Sequence, residues 1–260
     1  LGSAEVFVFV GVESVSGYLF TRLLPRKSSE ELLLTMDQIA GFLSSKDLKL
    51  SRLRVDSEVN WVATAPALLA KGITMTNVPP GQHERRSERW IRTLKATLRV
   101  IGLAFPRGIP TRLFRFALSF ATRMINERPN VLSGDVSPRV LIDPHAIVSS
   151  RSFPLVGFGA RCLGFFRPKN NMTVPTRPVI FLGYANGDGH SGFRVLDLTT
   201  KNVVTVHKVQ WDDHGSAGRD ELESIYGDDV MAGEQLDSPI SPVVSSLMPY
   251  PVSAAPPTFP

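Results

Sequence analysis

Two apolar runs, residues 5–12 (EVFVFVGV) and 17–25 (GYLFTRLLP), are separated by only four residues, Glu13 to Ser16, with a tight turn at Ser14 to Gly17. Both are rich in β-branched and aromatic side chains, and so short a connection allows little besides a hairpin of adjacent strands. The next segment, KSSEELLLTMDQIAGFLSS, changes period. Ser28 or Ser29 can cap a helix, Glu30 and Glu31 suit its first turn, and Leu32, Leu33, Met36, Ile39, Ala40 and Leu43 fall on one face. LKLSRLRVD then alternates as a strand ending at Asp56, a helix is predicted over 62–71, and GITMTNV makes a short strand. The order β-β-α-β-α-β predicts an α/β domain with a mixed sheet flanked by helices.

HERRSERWIRTLKATLRVIGLAF, residues 83–105, reads as a long helix with Trp90, Ile91, Leu94, Leu98 and Ile101 inward. Its outward face carries Arg85, Arg86, Arg89, Arg92, Lys95 and Arg99. A second helix ends where Pro129 forbids continuation. Beyond Arg151 the texture becomes that of a small antiparallel β-barrel: ARCLGFFRP, RPVIFLGYAN, SGFRVLDLTT and NVVTVHKVQWDD are separated by Pro, Gly and Asn. After Asp213 the periodicity fades into an acidic and then a Pro/Ser-rich stretch, which predicts a disordered linker. The expected domains are therefore 1–145, 146–213 and 214–260.

The charge is unevenly divided. From Trp211 onward there is one basic residue, Arg219, against nine acidic ones, net −8; the preceding 210 residues hold 28 basic against 15 acidic, net +13. A basic folded part and an acidic tail point to a polyanionic partner. The lone Cys162 forms no internal disulfide, and with five scattered histidines it builds no Cys/His zinc site. The longest apolar runs fall short of the roughly 18 residues of a membrane span, so no membrane partner and an intracellular location are expected. A start at Leu1, almost inside a strand, suggests a piece of a longer polypeptide.

Three carboxylates occupy positions that a fold of this order can bring to one sheet edge: Glu13 and Asp56 at strand ends, and Glu88 in the first turns of the long helix. Carboxylates that close repel unless cations lie between them, and two Mg2+ ions about 3.5–4 Å apart could clamp the attacking and leaving oxygens of a phosphoryl transfer. The bland alternatives are a solvated strand-end acid for Glu13 and Asp56 and a helix-dipole acid for Glu88. Glu5, Glu58 and Glu84 read as solvated. His190 and His207 read as structural, Trp61 and Trp90 as core, and Trp211 is open.

LRVDSE followed by KGITMTNVPPGQHERRSERWIRTLK resembles the integrase core of long-terminal-repeat retrotransposons, where a strand-ending Asp precedes a helix bearing the catalytic Glu. Here 31 residues separate Asp56 from Glu88, and the helix signature ER..RTLK is present in place. MINERPNVLSGDVSPRVLIDPH, FLGY, GFR, DLTT and VTVHKVQWDD are similar, in that order, to the copia-type polyproteins downstream of that core. The resemblance covers about residues 5–213. It implies an RNase H-like integrase core and a small β-barrel module, Glu13, Asp56 and Glu88 as catalytic and metal-ligating residues for two Mg2+ or Mn2+ ions, and a metal-dependent polynucleotidyl transferase. The six basic residues from Arg85 to Arg99 would then contact DNA. Double-stranded DNA (element ends and target) and further copies of the chain are the implied partners, in a cytoplasmic particle and the nucleus.

The departures from the family pattern leave activity open. Glu13 stands where the resemblance places an Asp, and its extra methylene moves the carboxylate by about 1.5 Å where constellations tolerate roughly 0.5 Å. Glu84 and Arg85 replace an Asn-Gly pair, and DSEVNW lacks a glycine. The alternative expectation is a decayed or repurposed integrase relic that binds nucleic acid without cutting it.

Overall fold

The computed structural model describes residues 6–55, 59–78, 85–103, 105, 108–145, 156–166, 175–185, 192–211, 219–226 and 243–251. The chain forms two compact units. One comprises Leu1–Thr93, Met124–Val148 and Pro239–Pro260; the other comprises Leu94–Arg123 and Ser149–Ser238.

The first unit is a mixed α/β structure. Its hairpin is β1 (Phe7–Glu13) and β2 (Leu19–Leu24), followed by α1 (Ser29–Ser44), β3 (Leu48–Val55), α2 (Val59–Ala70) and β4 (Thr74–Asn77). Ser28 caps α1 by accepting from the Glu31 amide, with Glu30 and Glu31 in the first turn as the helix dipole favours. The apolar face of α1, with Leu32, Met36, Ile39 and Leu43, packs with Trp61 and Leu68 of α2 on Phe9, Leu24, Leu53 and Val55 of the sheet. The predicted period-2 and period-3.6 patterns meet in this core, where Trp61 is fully buried.

The sheet has the order β2-β1-β10-β3-β4, in which β10 is Val243–Pro251. It runs parallel to β1 and antiparallel to β3, while β3 and β4 are parallel. Two features of this sheet go beyond the sequence pattern. The segment after Asp213 is not structureless throughout, since 243–251 supplies the central strand; a register shift between Met248 and Pro249 accommodates a residue that has no amide to donate. Moreover, β1 and β3 run in opposite directions, so their C-terminal ends do not leave the sheet by one edge. The register sets Gly11 level with Val55 and Glu13 level with Leu53. Alternation reveals a strand but not its direction, and the intervening strand came from a stretch whose prolines and serines mask it.

Two helices carry the chain from one unit into the other, α3 (Arg85–Leu103) and α4 (Phe114–Asn126), the second preceded by a 3-10 turn at Thr111–Leu113. Trp90, Ile91, Leu94, Leu98 and Ile101 of α3 are buried, as the spacing predicts. A short helix, α5 (Pro138–Ile142), is capped by Ser137 and begins with proline, which loses no helical hydrogen bond there. The division into units differs from the expected domains: 94–123 group with the β-rich unit, and 239–260 group with the first sheet.

The second unit holds an antiparallel sheet of β5 (Arg161–Phe165), β6 (Thr176–Ala185), β7 (Gly192–Asp197), β8 (Val203–Val206) and β9 (Val209–Trp211), in the order β8-β7-β6-β5-β9. Its two edge strands are joined by only His207 and Lys208. Laid flat, five strands would hold those edges roughly 19 Å apart, whereas three Cα steps reach at most about 11 Å. The sheet must therefore curl. Phe193 on β7 and Trp211 on β9 accordingly meet edge to face, with ring centroids 5.8 Å apart, although β6 and β5 separate their strands in the ladder. Among the described residues no ladder joins β8 to β9, so the sheet is curled and open where a barrel was expected.

A further helix of this unit lies beyond Asp213. Arg219–Tyr226 form a helix, α6, whose Leu222 is fully buried and whose Glu221 pairs with Arg161 at 2.8 Å.

Candidate functional site

Glu13 ends β1 and is 1% exposed. Its Oε1 accepts from the Val15 amide at 2.7 Å, and its Oε2 accepts from both the amide and the hydroxyl of Ser16 at 2.5 Å. The main chain closes the same turn, with the Glu13 amide donating to the Tyr18 carbonyl at 2.8 Å and the Gly17 amide to the Glu13 carbonyl at 3.0 Å. A strand-end carboxylate facing water is thus excluded, and Glu13 is paired within its own hairpin.

Gly17 is required in that turn. Its φ of +72° is one that L side chains rarely adopt, and a Cβ there would lie 2.9 Å from Asn130 Nδ2 and 3.0 Å from Trp90 Cζ2. Asn126, at the end of α4, accepts from the Leu19 amide at 2.7 Å and donates to the Leu19 carbonyl at 2.8 Å. Asn130 donates to the Ser16 carbonyl at 3.3 Å and accepts from the amides of Leu132 and Ser133. The NERPN segment therefore holds the β1–β2 hairpin through side-chain amides. Its spacing was legible in the sequence, but its work was not.

Glu88 lies in the first turn of α3 and is exposed, while Asp56 lies outside the described residues. Among the described residues no group of three or more His, Cys, Asp or Glu is placed to hold a metal ion. Three donors of its own turn meet the Glu13 carboxylate, and β1 and β3 run in opposite directions.

The face of α3 opposite its buried stripe exposes Arg89, Arg92 and Arg99, with Lys95 half-buried. Arg85 and Arg86 belong to the first turn, and their side chains lie outside the described residues. The sequence reading passed over a second basic row, Lys49, Arg52 and Arg54 of β3, all exposed. Its signal was present in the alternation of LKLSRLRV.

The remaining candidates are structural. Trp61 and Trp90 are buried, and Trp211 packs edge-on to Phe181 at 5.2 Å. Burial pushes the Cys162 thiol up to about 12, which leaves it unreactive as a nucleophile. The DLTT turn is a local scaffold: Asp197 accepts from the Thr199 amide at 2.8 Å and the Thr200 hydroxyl at 3.0 Å, and Arg177 lies 3.4 Å away. Among the described residues no helix is long and apolar enough to cross a membrane.

No protein-family model matches the chain, and no curated protein is similar to it. Among solved structures, it is similar to a chain of the simian T-cell lymphotropic virus intasome in complex with PP2A regulatory subunit B56 gamma, at 17% identity over 77% of this chain and 70% of that one, with a TM-score of 0.44. A likeness that loose does not define the fold.

Proposed function

We propose that this chain is an integrase-related protein of the copia type that binds the sugar-phosphate backbone of double-stranded DNA through the exposed face of α3. One observation carries the reading: Arg89, Arg92 and Arg99 project from the side of α3 opposite Trp90, Leu94 and Leu98, which are buried. A helix anchored on one face holds its cations in a fixed row, and arginine forks match phosphate oxygens. The net charge of +13 over the first 210 residues supports the same partner.

Cutting and joining of DNA is not part of this proposal. The hydrogen bonds that Glu13 accepts within its own turn favour the alternative raised by the sequence, a relic of an integrase that binds without catalysing.

The test is anisotropy of a labelled 30-base-pair duplex titrated with the full chain at several salt concentrations, beside Mg2+-dependent strand transfer on the same duplex. Binding should weaken steeply with salt, and Arg89→Ala/Arg92→Ala/Arg99→Ala should flatten the dependence by about 0.9 in log–log slope for each phosphate that is no longer neutralised. An unchanged slope would remove α3 as the DNA-binding surface. Strand transfer abolished by Glu13→Gln would overturn the non-catalytic reading.

A further inference from the structure

The register of the first sheet lays out one row of positions: Leu19 on β2, Val12 on β1, position 246 on β10, Arg54 on β3 and Thr76 on β4. Leu19 and Val12 are buried, whereas Arg54 and Thr76 are exposed. This face of the sheet is therefore covered at the β1–β2 side and open at the β3–β4 side. Arg52 pairs in register with Thr74, also exposed, and Lys49 lies exposed on the same strand. The opposite face of β3, with Leu50, Leu53 and Val55, belongs to the core and fixes the orientation of the strand.

Cations on strands commonly protect an edge from pairing with another chain. That explanation does not apply to β3, which is paired on both sides, by β10 and by β4. Three cations and two hydroxyls thus share an open sheet face. Arg52 and Arg54 are about 6.6–6.8 Å apart along the strand, and long guanidinium side chains at that spacing can engage separate phosphates of one backbone. Threonine hydroxyls beside them are further donors to phosphate oxygens.

We propose that Lys49, Arg52 and Arg54, with Thr74 and Thr76, form a second phosphate-binding strip for duplex DNA, separate from the arginine face of α3. This rests on the reading of the chain as a DNA-binding protein and extends it to a surface on β3 and β4. The strip positions the duplex without reading its sequence, since its donors meet phosphates and not base edges.

The test uses the full chain and a labelled 30-base-pair duplex over a salt series, comparing wild type, Lys49→Ala/Arg52→Ala/Arg54→Ala and Arg52→Lys/Arg54→Lys, with far-UV circular dichroism and thermal midpoint as fold controls. The alanine variant is expected to bind more weakly, with a log–log salt slope shallower by roughly two to three. The lysine variant, which keeps both charges, should hold the wild-type slope. Should the triple variant not fold, Arg54→Gln is read in the same way, with a slope shallower by about one. A wild type that binds, together with a folded charge-removing variant of unchanged slope, overturns the strip while leaving the α3 reading intact. A wild type that does not bind overturns both.

Discussion

The amide and the hydroxyl of Ser16 both donate to the same carboxylate oxygen of Glu13, each at 2.5 Å, inside a hairpin turn that Asn126 and Asn130 hold from the end of α4. A carboxylate suits this position because it only accepts, and the turn offers three donors. Glu13→Gln replaces one oxygen with an amino group that cannot accept, leaving a buried donor unmatched. The expected cost is about 1–3 kcal/mol in urea denaturation. Mg2+ should not shift the wild-type midpoint. A midpoint that rises with Mg2+ in the wild type and not in Glu13→Gln would identify Glu13 as a metal ligand after all.

Asn126 supplies one acceptor and one donor to the same residue, Leu19, from 107 positions away. Asn126→Asp keeps the acceptor and loses the donor, whereas Asn126→Ala loses both. Because Leu19 and Asn126 are buried, the stranded backbone groups have no water to turn to. The alanine variant should lose about 2–3 kcal/mol and the aspartate variant at least as much, since it also places a carboxylate against the Leu19 carbonyl. Equal stability of all three forms would mean that these two hydrogen bonds do not hold the hairpin.

The hairpin, α1, α3 and the strands of the second sheet were legible because each presents an apolar face with a period of 2 or 3.6 residues: Leu32, Met36, Ile39 and Leu43 in α1, and Trp90, Ile91, Leu94, Leu98 and Ile101 in α3. Strand order and direction were not legible. They depend on residues 243–251, where Pro249 and Pro251 argue locally against a central strand and long-range pairing overrides them. The charges could be read as types, but not as partners. Nothing in FVGVESVSG says that Glu13 will meet three donors of its own turn; that pairing rests on Ser16 three residues on and on an amide clamp more than a hundred residues away.

Leu222 tests whether the acidic segment is tied to the second unit. It is fully buried on α6, and a Cβ built at Gly159 would lie 3.9 Å from Leu222 Cδ1. Leu222→Ala should lower stability by about 2–5 kcal/mol, as removal of a buried leucine does. Truncation after Trp211 should expose the same site, increasing dye binding to apolar surface. No change in either measurement would show that α6 contributes nothing to the core of this unit.

Asp197 gives the second unit an acid-sensitive joint. Its side chain is 2% exposed, and burial alone would raise its pKa; hydrogen bonds from the Thr199 amide and the Thr200 hydroxyl, with Arg177 nearby, instead hold the carboxyl below its ordinary value. A carboxyl with a lower pKa folded than unfolded binds fewer protons in the native state. Its stabilisation is therefore complete above the unfolded pKa of about 3.9 and is lost as pH falls through the lower folded value. Stability measured by urea between pH 7 and pH 2 should decline with acid, and Asp197→Asn should decline less steeply below about pH 4 while starting lower at neutral pH. The turn adds a second constraint, because Lys201 at φ +56° must close it by donating its amide to the Asp197 carbonyl at 2.7 Å. Lys201→Gly should relieve that backbone strain without altering the acid dependence. A variant series in which Asp197→Asn keeps the full wild-type acid slope would place the titrating carboxylate elsewhere.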